Sequence, residues 1–108
     1  ITDPRDAIQS ADFVYTDTWI DMQYFNNPDL LEAKETRRQK MAPYQINKEL
    51  LRGIDCKIMH DMPIHEGYEI TKEMVRDPRS IIFDQAENRL HAQKGLLWWV
   101  YDQTGVLV

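Results

Sequence analysis

The sequence predicts an α/β fold, a parallel sheet flanked by helices, and three observations predict it. Short runs of β-branched, aromatic and other apolar residues recur at Phe13–Thr16, Lys57–His60 and Ser80–Phe83, a length that suits buried strands. Helical patterns separate these runs, and a helical crossover is what brings successive strands into parallel register. The composition, 43% hydrophobic and 29% charged, supplies apolar surface for a packed core and argues against intrinsic disorder.

Ile1-Thr2-Asp3-Pro4 reads as the tail of a strand followed by a cap. The Asp3 carboxylate can accept from N-terminal amides and Pro4 suits a first helical position, so a short helix is expected over 5–11. Phe13–Thr16 is the first strand, with Asp17 at its carboxyl end. After Asn26-Asn27-Pro28, residues 29–41 carry good helix formers and mixed charge, with Leu30, Ala33 and Arg37 on one side, which predicts a mostly solvated helix. Asn47 is a candidate cap for a second short helix with Leu50 and Leu51 inward and Gly53 as its stop.

Lys57–His60 is the second strand, and the stretch from Asp61 to Gly67, with Pro63 and no clear period, is a loop leaving its carboxyl end. Thr71, Met74 and Val75 begin a short helix that Pro78 terminates. Ser80–Phe83 is the third strand, and Asp84 is expected to cap a long final helix over about 85–101 whose apolar members include Ala86, Leu90, Leu97 and Val100. Three parallel strands entered at the tail of a strand make a small sheet, so further chain is expected on the N-terminal side. Trp98 and Trp99 are expected to pack the final helix against a neighbour, and Cys56 to be a small buried residue.

The charge balance excludes some function classes. In 108 residues, 13 Lys plus Arg face 18 Asp plus Glu, a net charge of −5, whereas a nucleic-acid binder needs a basic face. One cysteine can form neither an internal disulfide nor a Cys-rich zinc site, and points to a reducing, cytoplasmic home. No apolar stretch approaches the roughly 18 residues of a spanning helix, so no membrane partner is expected. His60, His65 and His91 match no metal-ligand spacing.

In open α/β sheets, ligands gather beyond the carboxyl ends of the strands. Asp17, the loop from His60 to Gly67 and the start of the final helix should therefore converge. Taken singly, Asp17 reads first as a turn or cap and Arg89 first as a surface helix residue paired with Glu87 or Asp84, while Asp21 reads equally as a solvated side chain.

Four motifs in one order change that balance: Tyr15-Thr16-Asp17-Thr18-Trp19-Ile20, Tyr44-Gln45-Ile46-Asn47, Met59-His60-Asp61-Met62-Pro63 and Phe83-Asp84-Gln85-Ala86-Glu87-Asn88-Arg89. Together they resemble the aspartate/ornithine carbamoyltransferase family. The resemblance covers nearly the whole chain and implies that residues 1–108 are a partial C-terminal, amino-substrate-binding domain, the Rossmann-like half of a two-domain carbamoyltransferase. It further implies a homotrimer, no cofactor and no metal. Carbamoyl phosphate would be held in part by a Ser/Thr-x-Arg-Thr-Arg loop of the other domain, which these residues lack; Thr36-Arg37-Arg38 lies within a helix and cannot replace it.

By the same resemblance, His60, Asp61, Met62 and Arg89 are catalytic and contact carbamoyl phosphate, while Asp17, Asp21, Met22, Asp61, Met62 and Pro63 hold the amine substrate. A cis Met62–Pro63 bond is implied, turning neighbouring backbone carbonyls toward the site, and the His60 ring is placed to hydrogen-bond the carbonyl oxygen. Arg89 would stabilise charge on the carbonyl or phosphate oxygens.

Three departures from the ornithine pattern change the polar groups it brings to the site. Asp21 stands for the serine of Thr-Asp-Thr-Trp-x-Ser-Met-Gly, Gln23 for its glycine, and Asp61 for the cysteine of His-Cys-Leu-Pro. Added carboxylates repel a substrate carboxylate and favour a cationic amine, such as a diamine or guanidino-amine. Three readings follow: a carbamoyltransferase acting on a cationic amine such as putrescine, an ordinary ornithine carbamoyltransferase tolerating the changes, or a non-catalytic small-ligand-binding relative.

Overall fold

The computed structural model describes residues 3–21, 24 and 27–105. Within them, α1 (Pro4–Ala7), β1 (Phe13–Thr16), α2 (Leu31–Met41), β2 (Lys57–His60), α3 (Lys72–Val75) and α4 (Ile82–Gln103) follow in order. The strands pair in parallel, Phe13 beside Lys57 through Thr16 beside His60, and helices flank the sheet. One face is buried: Ile58 and His60 point into a core of Ile8, Ile46, Leu51, Cys56, Ile70, Met74, Val75 and Ile82. Phe13, Tyr15 and Lys57 alternate onto the exposed face.

Local chemistry accounts for the ends of several elements. Asp3 accepts from the Arg5 amide at 2.8 Å and Pro4 occupies the first turn, although α1 stops at Ala7 rather than Ala11. Residues 28–30 form a 3-10 turn that leads into α2, which buries none of its side chains; the bidentate pair of Arg38 with Glu35 lies on its solvated surface. Asn47 caps as expected, its Oδ1 accepting from Leu50 at 2.9 Å, but the residues after it form turns instead of a helix. Leu51 is buried there, and Gly53 reverses the chain at φ 76°, in the left-handed region that suits glycine. Cys56 is buried, which pushes its thiol pKa up.

The third strand does not form. Ser80 makes a single parallel bridge to Ile58, with Ile58 N–H donating to Arg79 O and Ile81 N–H to Ile58 O, and α4 starts at Ile82. Ile82 is fully buried, and anchoring it in the core commits the chain to helix directly after that bridge. Asp84 consequently lies in the first turn, where its charge suits the helix dipole, and is not the cap; that position falls to Ile81. A four-residue apolar run cannot by itself separate a buried strand from a helix start.

Beyond Ile82, α4 leaves the core. Its 22 residues correspond to about 33 Å, and Leu90, Leu97, Trp98, Trp99 and Val100 are exposed along it. No helix among the described residues is long and apolar enough to cross a membrane.

A polar clamp closes the back of the core. Arg79 grips Asp77 through Nε and Nη2 at 2.8 and 3.0 Å and donates through Nη1 to Ile54 O at 2.6 Å. Its guanidinium holds the Asp77 carboxyl at about 2, below the ordinary 3.8. A carboxyl depressed on folding stabilises the fold above its unfolded value and loses that contribution as pH falls toward the folded one. Arg79→Ala should therefore cost about 2–3 kcal/mol in urea unfolding at pH 7, and Asp77→Asn should remove this clamp's share of the stability lost between pH 4 and 2.

Candidate functional site

The parallel register decides where the chemistry collects. Because Thr16 lies beside His60, the next residues, Asp17 and Asp61, leave the same edge of the sheet together. Neighbouring strands lie about 4.8 Å apart, so the two acidic residues start from adjacent backbone positions. Thr18 joins the two exits, its Oγ1 donating to Pro63 O at 2.9 Å. Asp17 accepts from the Thr18 amide at 2.6 Å and is otherwise exposed.

The loop after β2 is held on a buried polar pair. His60 and Glu69 are both fully buried, with Nε2 and Oε1 3.1 Å apart. Met62 N–H donates to His60 Nδ1 at 2.8 Å and His65 N–H to Glu69 Oε1 at 2.6 Å, so the pair holds the loop from both ends. The Met62–Pro63 bond is cis, as the motif implies, with Met62 at φ 57°. Gln45 fastens the far end of the loop, donating to Gly67 O and Tyr68 O at 3.0 and 2.8 Å.

The first turns of α4 supply the opposite wall. Gln85, Asn88, Arg89 and Ala92 fall at i, i+3, i+4 and i+7 on one helix face, and with Tyr15, His60 and Asp61 they line a cleft of about 530 Å³. Gln85 Oε1 accepts from the His60 amide at 3.1 Å, tying helix to strand end. Arg89 is exposed, and Glu87, one candidate partner for it, turns to His91 at 3.5 Å instead. Among the described residues Arg89 has no ion-pair partner, so its guanidinium is open to an anion.

The structure thus brings together His60, Asp61 and Arg89, with Asp17, Met62 and Pro63 at the same edge. Asp17 itself lines not that cleft but an adjoining hollow of about 420 Å³ with Thr18, Trp19 and Arg37. Asp21 is exposed and lines neither space; its carbonyl accepts from Tyr24 N–H. Met22 lies outside the described residues. The expectation that the His60 ring reaches a substrate carbonyl does not fit the geometry: the ring is fully buried and both nitrogens are engaged by Glu69 and the Met62 amide. Among the described residues no group of three or more His, Cys, Asp and Glu could hold a metal ion.

Comparison with known proteins agrees with this geometry. The sequence profile described as aspartate/ornithine carbamoyltransferase, Asp/Orn binding domain, matches residues 1–100. The chain belongs to that family. An ornithine carbamoyltransferase of Rhodopseudomonas palustris (strain BisA53) is 43% identical over 106 residues, covering 96% of this chain and 32% of that protein. The solved ornithine carbamoyltransferase from Pyrococcus furiosus superposes with a TM-score of 0.71 at 40% identity, over 88% of this chain and 29% of that one. A solved N-acetyl-L-ornithine transcarbamylase complexed with carbamyl phosphate and N-succinyl-L-norvaline gives 0.69 at 27% identity, over 89% and 28%. The chain therefore spans about a third of the length of the relatives it matches.

Sequence reasoning missed Gln85, Thr18 and Glu69 as parts of this Asp/Orn-binding domain's site. The i, i+3, i+4 spacing of Gln85, Asn88 and Arg89 was available as a signal. Nothing local marks Glu69, whose partners lie four and nine residues back. Gln85→Leu should leave the His60 amide without its acceptor and destabilise by about 1–3 kcal/mol. Gln85→Glu should keep the acceptor, and amide hydrogen exchange at His60 would separate the two.

Proposed function

We propose that the whole protein transfers the carbamoyl group of carbamoyl phosphate to the amine of a small cationic amino substrate, with residues 1–108 forming the amine-binding part. The observation that carries this reading is the exit of Asp17 and Asp61 from adjacent strand ends, with Asp61 sharing one cleft with Arg89, which has no ion-pair partner among the described residues. Family membership and the names of the relatives, ornithine carbamoyltransferases and a transcarbamylase holding carbamyl phosphate, support it.

The neutral amine attacks the carbonyl carbon, forming the C–N bond; the C–O bond to phosphate breaks, and the departing phosphate takes the proton released from nitrogen. Asp17 and Asp61 attract the ammonium form and orient it, while Arg89 offsets negative charge developing on the carbonyl and phosphate oxygens. Backbone carbonyls of the Asp61–Pro63 loop accept from the carbamoyl nitrogen. His60 acts in this scheme by holding that loop rather than by touching the substrate. The other domain supplies the phosphate loop, the assembly is a homotrimer, the compartment is the cytoplasm, and no cofactor takes part.

The cationic substrate follows from charge. Asp61 places a carboxylate, 42% exposed, where ornithine enzymes carry a thiol, and a second carboxylate starts from the adjoining strand. Carboxylates beside an ammonium raise its pKa, yet only the neutral amine attacks.

Colorimetric ureido-product assays of the whole protein with carbamoyl phosphate and ornithine, putrescine, agmatine, lysine or aspartate should show turnover with a cationic amine. Turnover with none of them, by folded protein, would leave the small-ligand-binding alternative. The rate should rise between pH 7 and 9, and Asp61→Cys should move that rise to lower pH. Arg89→Ala should lower kcat/KM by about 10²–10³-fold, as removal of a charge-stabilising donor does elsewhere.

A further inference from the structure

We infer that Tyr15 is a specificity-determining residue whose ring is the apolar floor of the cleft and holds the methylene groups next to the reacting nitrogen; the inference rests on the carbamoyl-transfer reading. The alternation along β1 sets this up. Val14 packs against the core and Thr16 is half-buried, whereas Tyr15, level with Met59, stands on the other face and is 54% exposed. Asp61 follows Met59 by two residues, so the ring and the carboxylate start from diagonal positions of neighbouring strands, about 7–8 Å apart, a separation that an aromatic side chain spans. Across from them α4 presents Gln85, Asn88 and Arg89. Apart from the small Ala86 and Ala92, the rest of the lining is charged, amide-bearing or an imidazole, so among the described residues Tyr15 supplies the one large apolar surface of this cleft. Among the described residues its hydroxyl makes no hydrogen bond and its ring no aromatic or cation contact, which leaves the ring open to a ligand.

The chemistry needs such a surface. Carboxylates attract an ammonium, but the attacking amine has lost its proton and with it most of that attraction. A methylene group keeps its affinity for an apolar face in either charge state, at about 4-fold per CH2 removed from water. Asp61 therefore draws the cation into the cleft, and Tyr15 retains the neutral amine at the stage when the carboxylate holds it least. The ring also reads the chain. Each methylene that reaches it adds the same factor, whereas a carboxylate on the carbon next to the reacting nitrogen would set its charge against the negative face of the ring.

The test uses the whole protein in wild type, Tyr15→Ala, Tyr15→Leu and Tyr15→Phe forms, with carbamoyl phosphate and two pairs of amines that differ by one methylene: putrescine with 1,3-diaminopropane, and ornithine with 2,4-diaminobutyrate. Tyr15→Ala should lower kcat/KM for the longer amine by about 10-fold and shrink its advantage over the shorter one by about 4-fold. The loss should be the same at pH 7 and pH 9, because a methylene carries no charge, and KM for carbamoyl phosphate should stay put. Leucine and phenylalanine restore an apolar surface, so both should recover most of the rate. An unchanged rate or chain preference in Tyr15→Ala, a loss that grows toward pH 7, an effect confined to carbamoyl phosphate, or a Tyr15→Phe as impaired as alanine would each overturn the inference. A second readout needs no turnover. With 3-fluorotyrosine in place of tyrosine and the Tyr15 signal assigned by its loss in Tyr15→Phe, adding putrescine or ornithine should shift that fluorine signal; a signal unmoved by both would overturn the inference even if Tyr15→Ala does not fold. A folded wild-type protein that turns over none of these amines would overturn the carbamoyl-transfer reading, and the fluorine signal would still decide whether Tyr15 meets the amine.

Discussion

The parallel register of β1 on β2 is the constraint on which the rest of this chain depends. Parallel strands end on the same edge, and Thr16 beside His60 fixes which residues come next. A slip of one residue would turn Ile58 and His60 out of the core, because side chains alternate with a period of two. The burial of Ile58 thus sets the register that brings Asp17 level with Asp61. Acidic residues 44 positions apart in sequence become neighbours through the packing of an isoleucine.

The second layer of organisation is polar and buried. A fully buried carboxylate and imidazole are costly unless hydrogen-bonded, at about 1–3 kcal/mol for each polar group left unmet. Here that penalty is offset by two backbone amides of the site loop, so the groups that would destabilise an unpartnered core are the ones that shape the loop. Gln85 and Gln45 extend the same arrangement, one joining α4 to the end of β2 and the other fastening the loop's far side. The charged side chains that face solvent, Asp61 and Arg89, stand on this fixed base.

Much of the fold was legible because local chemistry and tertiary packing agree. Asp3-Pro4 starts a helix, Asn47 caps a turn, Gly53 reverses the chain, and both strands of the observed sheet lie where apolar runs place them. Ser80–Phe83 shows where agreement ends. Its apolar content satisfies a strand and a helix start equally, and one bridge to Ile58 followed by burial of Ile82 selected the helix. The length of α1 and the turns after Asn47 likewise depended on how much helix the neighbouring core could support.

By itself the sequence determined the class of fold, the family and the residues that carry charge into the site, since those depend on residue type, order and short-range capping. Only the tertiary structure decided what His60 does. In sequence it is a histidine beside an aspartate in a loop motif, open to substrate. In the fold it is the buried end of β2, with one nitrogen facing Glu69 and the other the Met62 amide. Glu69 was invisible for the same reason: a hydrogen-bond partner is defined by distance in space, and the chain brings the two together only once Ile46 has bridged to Ile70 and drawn the segment against the core.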